Sequence, residues 1–197
     1  MASSTRERVL TTADRLIATR GYEGFSIADL VAESGVSSGS IYHHFGAKDG
    51  VLAALLLSAV EDYQRTILDV LRDHEDDAEG GIRGVIAAHL RWMQEHRREA
   101  ALLLTHRDTV RAGEHGRRLK ALNRRFLRVT ADWLERQAEA GRMPPVAVEV
   151  AHAVVFAPAQ ELCRQWLTER TATEPASLAD VLGRAAWTGL LETGEQR

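Results

Sequence analysis

Residues 26–48, SIADLVAESGVSSGSIYHHFGAK, leave this chain few ways to fold. Ser26 and Asp29 form a capping pair able to satisfy the orphan amides of a helix start. Ile27, Leu30 and Val31 then fall on one helical face. Gly35 follows Ser34, where a glycine adopts the left-handed backbone of a sharp turn. Val36 supplies an apolar plug, and Ser37 stands where a second short helix takes its N-cap. In that second helix Ile41 and Phe45 face inward, leaving Ser38, Ser40, Tyr42 and His43 to point away. Two short helices around a glycine turn, the second with a polar outer face, have the pattern of a DNA-binding helix-turn-helix.

The preceding segment extends the pattern. Ser4 and Glu7 form a capping box, Val9, Leu10, Ala13, Leu16 and Ile17 keep helical spacing, and Gly21 is a stop. Tyr22 and Phe25 close a small core against that helix. Three helices of this size bury little by themselves, so the unit leans on the remainder of the chain. Residues 9–52 carry Arg20-Gly21-Tyr22, Ser26-Ile27-x-Asp29-Leu30, Gly35-Val36-Ser37-x-Gly39 and Ile41-Tyr42-x-His44-Phe45-x-x-Lys48 in order. In these elements the chain resembles the N-terminal domain of tetracycline-repressor (TetR) family transcription regulators.

At 197 residues the chain has room for that unit and one further helical domain. The expected division is 1–47 for the DNA-binding head and 48–197 for a body that binds an effector and dimerises. Val51 to Leu57 is apolar but too short to span a bilayer, and the N-terminus lacks a signal-peptide core, so a cytoplasmic chain without membrane contact is expected. One cysteine, Cys163, excludes an internal disulfide and a multi-cysteine zinc site. The formal charge is −3, and acids slightly outnumber Lys and Arg in residues 1–50, against the usual basic footprint of a DNA binder. Charge placement outweighs the sum. Arg6, Arg8 and Lys48 are expected to face phosphates while Asp14, Glu23 and Glu33 face elsewhere.

Beyond the head, periodicity predicts a helix of Ala47 to about Leu71, a strut of roughly 37 Å. The acidic run His74 to Gly81 reads as a solvated loop, lacking the ligand spacing of a calcium loop. Helices are expected next over Ile82–Glu95 and Glu99–Thr109. In the basic stretch Arg107–Arg128, Gly113 and Gly116 are expected to divide one helix from the next, whose stripe is Leu119, Leu122, Phe126, Val129 and Trp133. A helix of Val146 to about Arg170, kinked at Pro158, and a last one over Ala176–Leu191 complete an all-α chain of about nine helices.

The resemblance implies a C2 homodimer on a palindromic double-stranded DNA operator, acting as a repressor, with an unidentified small molecule as effector. It implies phosphate contacts at Ser37 and Tyr42, with Lys48 adding charge at the start of the strut. Ser38, Ser40 and His43 are the outward positions for base edges, and Gly39 permits close approach. The last two helices are the implied dimer seam, with Leu162, Leu167, Val181, Leu182, Ala185 and Trp187 as its apolar surface. Trp92, Met93, Phe126, Trp133, Phe156, Cys163 and Trp166 are candidates to line an effector pocket, with His89, His106 and Gln160 as polar contacts. No cofactor and no metal are expected. An enzyme is the weaker alternative, since no nucleophile elbow, phosphate loop or His-Glu-x-x-His occurs. A helical interaction module that does not bind DNA is favoured only by the acidic balance.

Overall fold

In the computed structural model, which describes residues 4–106 and 113–193, the described residues form nine α-helices and no strand. They group into two compact units, Met1–Val60 with Thr105–Leu119, and Glu61–Leu104 with Lys120–Arg197. The division falls inside a helix rather than at residue 47. The first half of that helix carries its own buried apolar set, Val51, Leu52, Leu56 and Leu57, and groups with the head.

In the first unit, α1 (Thr5–Arg20) starts on the reciprocal Ser4–Glu7 box and ends at Gly21, whose φ is 72°. α2 (Ile27–Ser34) starts on the Ser26–Asp29 box, and α3 (Ser38–Phe45) on the Ser37 hydroxyl, which accepts the Ser40 amide. Each cap removes orphan donors that would cost about 1 kcal/mol apiece. Val9, Ala13, Leu16, Phe25, Leu30, Val36, Ile41 and Phe45 are all buried. α4 (Lys48–Asp73) then runs for 26 residues without a break.

In the second unit α5 (Ala78–Glu95) packs on α8 (Val148–Leu167) and α9 (Ala179–Thr193), which also pack on each other. Arg83 of α5 reaches Asp180 of α9 at 2.7 Å. A 3₁₀ turn, Pro175–Leu178, leads into α9. α6 (Arg97–Thr105) up to Leu104 and α7 (Gly113–Glu139) from Lys120 onward complete the set. The expected helix end at Thr109 lies outside the described residues.

Three expectations change. The acidic loop is shorter, because Asp77 caps α5 through the Gly80 amide and draws Gly80 and Gly81 into the helix. Its remaining residues are tied down: Trp133 Nε1 donates to the His74 carbonyl at 3.2 Å and Gln137 to the Glu75 carbonyl at 2.7 Å. Gly116 lies within α7 and divides nothing. α8 spans Val148–Leu167, short of the expected Val146 to about Arg170, and includes Pro158, which is exposed while Ala151, Val155, Phe156, Ala159 and Cys163 are buried.

Gly81 is where the body core tolerates no side chain. A Cβ there would lie 2.5 Å from Trp133 Cζ2, in a ring only 1% exposed. Ordinarily Gly→Ala in a helix gains roughly 0.5–1 kcal/mol. Here Gly81→Ala is expected to destabilise by about 1–3 kcal/mol through overpacking, read by urea denaturation. A more stable variant would show that the ring yields freely.

Candidate functional site

The turn between α2 and α3 is closed by polar groups that all find partners. Gly35 adopts φ 65° and its amide bonds to the Val31 carbonyl. The Ser34 hydroxyl donates to the Leu30 carbonyl and accepts the Val36 amide at 3.2 Å. Arg8 reaches across from α1 to donate to the Ser34 carbonyl at 2.6 Å. That use removes Arg8 from the cations expected at phosphate. The acids of α2 are answered locally, Glu33 by Arg15 and Arg20 and Asp29 by Arg20, at 2.9–3.0 Å. Such exposed pairs add little stability, but they cancel the negative charge beside the turn.

On α3 the two faces separate cleanly. Ile41 and Phe45 are buried, whereas Ser38, Gly39, Tyr42 and His43 are exposed and Ser40 is partly so. Tyr42 is 53% exposed, a large ring held in solvent. A Cβ at Gly39 would meet nothing within 4 Å, so nothing inside the chain requires glycine there. Lys48 differs from expectation: its Nζ sits 4.3 Å from the Tyr22 ring centre and 4.7 Å from that of Phe25. The Tyr22 hydroxyl donates to Asp49, and burial with that bond raises its pKa above the ordinary phenol value. Lys48 is thus held by an aromatic pair rather than free on the surface.

The second unit holds an open-mouthed apolar cavity between α4, α5, α7 and α8. Ile67, Leu71, Ile82, Val85, Phe126, Leu127, Thr130, Trp133, Leu134, Val148, Ala151, His152, Val155 and Phe156 line it. Of the expected pocket residues, Phe126, Trp133 and Phe156 are on this wall. Trp92 instead donates from Nε1 to Asp62 at 2.8 Å and stacks on His96. Met93 packs partly buried on the core, Gln160 is exposed, and Trp166 lies under Arg97 at 4.4 Å. His106 belongs to the other unit, 5.1 Å from the Tyr22 ring. His89 and Cys163 sit behind the wall. The Tyr63 hydroxyl is 2.9 Å from His89 Nδ1 and Cys163 Sγ is 4.0 Å from Nε2. Sequence reading missed Thr130 and His152, although His152 stands one helical turn before Phe156 on the same stripe.

Of the implied seam, Leu162, Leu182 and Trp187 pack partly buried on the core and Leu167 is partly buried. Val181 is 54% exposed and Ala185 is exposed. Among the described residues no group of His, Cys, Asp or Glu is placed to hold a metal ion, and no helix is long and apolar enough to cross a membrane.

Burial depresses His89 to a pKa of about 4, below the ordinary 6.5. Unfolding lets the ring bind a proton between those values, so stability is full above pH 6.5 and declines as pH falls toward 4. The His89 contribution to that loss is about 3 kcal/mol. His89→Gln is expected to flatten the pH dependence of the urea midpoint across this window. An unchanged slope would place the titrating group elsewhere.

Residues 9–55 match the family model described as bacterial regulatory proteins, tetR family. Over 105 residues, covering 51% of this chain, the sequence is 32% identical to the HTH-type transcriptional regulator YerO of Bacillus subtilis. The chain spans only 35% of that curated relative's length. Among solved structures, the TetR family regulator PfmR of Thermus thermophilus is 26% identical, with a TM-score of 0.64 over 96% of this chain and 100% of that one. FadR of Bacillus subtilis, solved in complex with stearoyl-CoA, is 17% identical with a TM-score of 0.71, covering 92% and 97%. The segment that matches the tetR family model, residues 9–55, is thus joined to a helical body whose fold these neighbours share.

Proposed function

We propose that this chain is a cytoplasmic, sequence-specific DNA-binding regulator of transcription, a homodimeric repressor that leaves a palindromic operator when a small molecule binds its body. The exposed polar face of α3, Ser38, Gly39, Ser40, Tyr42 and His43, carries this reading, since it is set on a capped turn inside the residues that match the family. Ser37 and Tyr42 approach phosphates, and Ser38, Ser40 and His43 meet base edges in the major groove. One such helix reads only a few base pairs, so a second copy about 34 Å or a multiple away supplies the rest. The exposed Val181 and Ala185, with the flanking parts of Leu162, Leu167, Leu182 and Trp187, form the seam between copies.

Release requires the effector to favour one dimer geometry, because equal affinity for both shifts nothing. Coupling of about 1–3 kcal/mol lowers operator affinity roughly 5–150-fold. The cavity against Phe126, Trp133 and Phe156 is the place for that ligand. The FadR neighbour, solved in complex with stearoyl-CoA, supports a ligand-binding role for a body of this fold.

Selection of duplexes from a random library, followed by gel shift across salt concentrations, tests the reading. A palindrome bound by two chains, with affinity falling steeply in salt, is the expected result. Tyr42→Ala is expected to weaken binding to many sequences alike, and His43→Ala to change the preferred bases by about 1–3 kcal/mol per position. Gly39→Ala is expected to fold normally yet bind more weakly, since an added Cβ meets nothing within the chain. Full DNA binding by all three variants, or a single chain in sedimentation with duplex present, would exclude it.

A further inference from the structure

The chemistry of the cavity wall narrows the effector, on the premise that the body is an effector domain. Among its lining residues there is no Asp, Glu, Lys or Arg. Two of the polar side chains are already occupied: the Thr130 hydroxyl donates to the Phe126 carbonyl at 2.9 Å and Trp133 Nε1 to the His74 carbonyl at 3.2 Å. His152 remains. Its ring lies 4.9 Å from that of Phe156, and among the described residues no hydrogen bond reaches it. His152 and Leu127, which is 39% exposed, are the most exposed of the lining residues, so they mark the mouth.

We infer that the effector is an uncharged, mainly apolar molecule carrying one hydroxyl or carbonyl oxygen, its body set between Phe126, Trp133 and Phe156 and its oxygen hydrogen-bonded to His152 at the mouth. An ionised head drawn between Phe126, Trp133 and Phe156 would lose its hydration at a cost of several kcal/mol, and one left at the mouth would find no lining residue of opposite charge to hold it. A neutral oxygen loses far less and gains a partner. Burial lowers the His152 pKa, so at neutral pH the ring offers a hydrogen bond and no charge. The exposed edge of the ring leaves the rest of a larger ligand free to continue into solvent.

The test uses three probes with one chain and different heads, 1-octanol, octanoate and octylammonium, with toluene as a headless control. Each is titrated at pH 7.5 against the full chain by tryptophan fluorescence and thermal shift. Octanol is expected to bind at least tenfold more tightly than either ion. His152→Phe is expected to weaken octanol about three- to tenfold, the value of one hydrogen bond, and to leave toluene unchanged. His152→Gln, which keeps a hydrogen-bonding group, is expected to recover most of the loss. Tighter binding of octanoate or octylammonium, binding by none of the three, or octanol affinity indifferent to His152→Phe would overturn the assignment. Repeating the titrations on the duplex complex separates the two readings. A charged probe that detaches the duplex sinks the neutral class while the regulator stands. Octanol that fills the cavity of the DNA-bound chain and detaches nothing sinks the effector role while the cavity chemistry stands.

Discussion

A left-handed residue at position 35 lets two eight-residue helices stand three residues apart. With Gly35 at φ 65°, the chain leaves α2 and re-enters a helix at Ser38 with its turn groups paired. The Arg8 side chain closes on the same turn, and a Cβ at Gly35 would lie 3.3 Å from its guanidinium. An L side chain at that φ would add strain on its own account. Everything presented by α3 depends on this corner, because burial of Ile41 and Phe45 and exposure of Tyr42 are two consequences of one helix placement.

Charge in the head is arranged to serve that surface. The acids of α2 are paired with Arg15 and Arg20, and Lys48 is held by Tyr22 and Phe25. The negative balance of the first fifty residues therefore does not mean a negative face on α3, whose outer side carries hydroxyls and imidazoles.

The body solves a different problem. Its core holds Trp133, brought against the bare backbone of Gly81, and a polar pair, buried His89 with partly buried Tyr63, held within apolar surroundings. Leaving either polar group alone there would cost about 1–3 kcal/mol, so the pair is kept together. The cavity wall on the other side of Phe156 is nearly all carbon.

Local signals were legible in the residues because their physics is local. Ser4 with Glu7, Ser26 with Asp29, Gly21, Gly35 and Ser37 act within one helical turn, and each has the predicted role at a helix end. Apolar periodicity likewise located α4 and the stripe of α7 through Phe126 and Trp133. Glycines misled where a cap or packing outweighed propensity, as at Gly80 and Gly81 under the Asp77 cap and at Gly116 within α7. Membership of the cavity wall was not legible in advance. His152 and Thr130 belong to it while Trp92, Trp166 and His106 do not, since each aromatic side chain settles according to which partner from a distant segment reaches it: Asp62, Arg97 or Tyr22. Sequence alone determined the helices, their caps and the polar face of α3, because those depend on neighbours along the chain; tertiary packing decided the cavity and the fate of Lys48, because those depend on which helices meet.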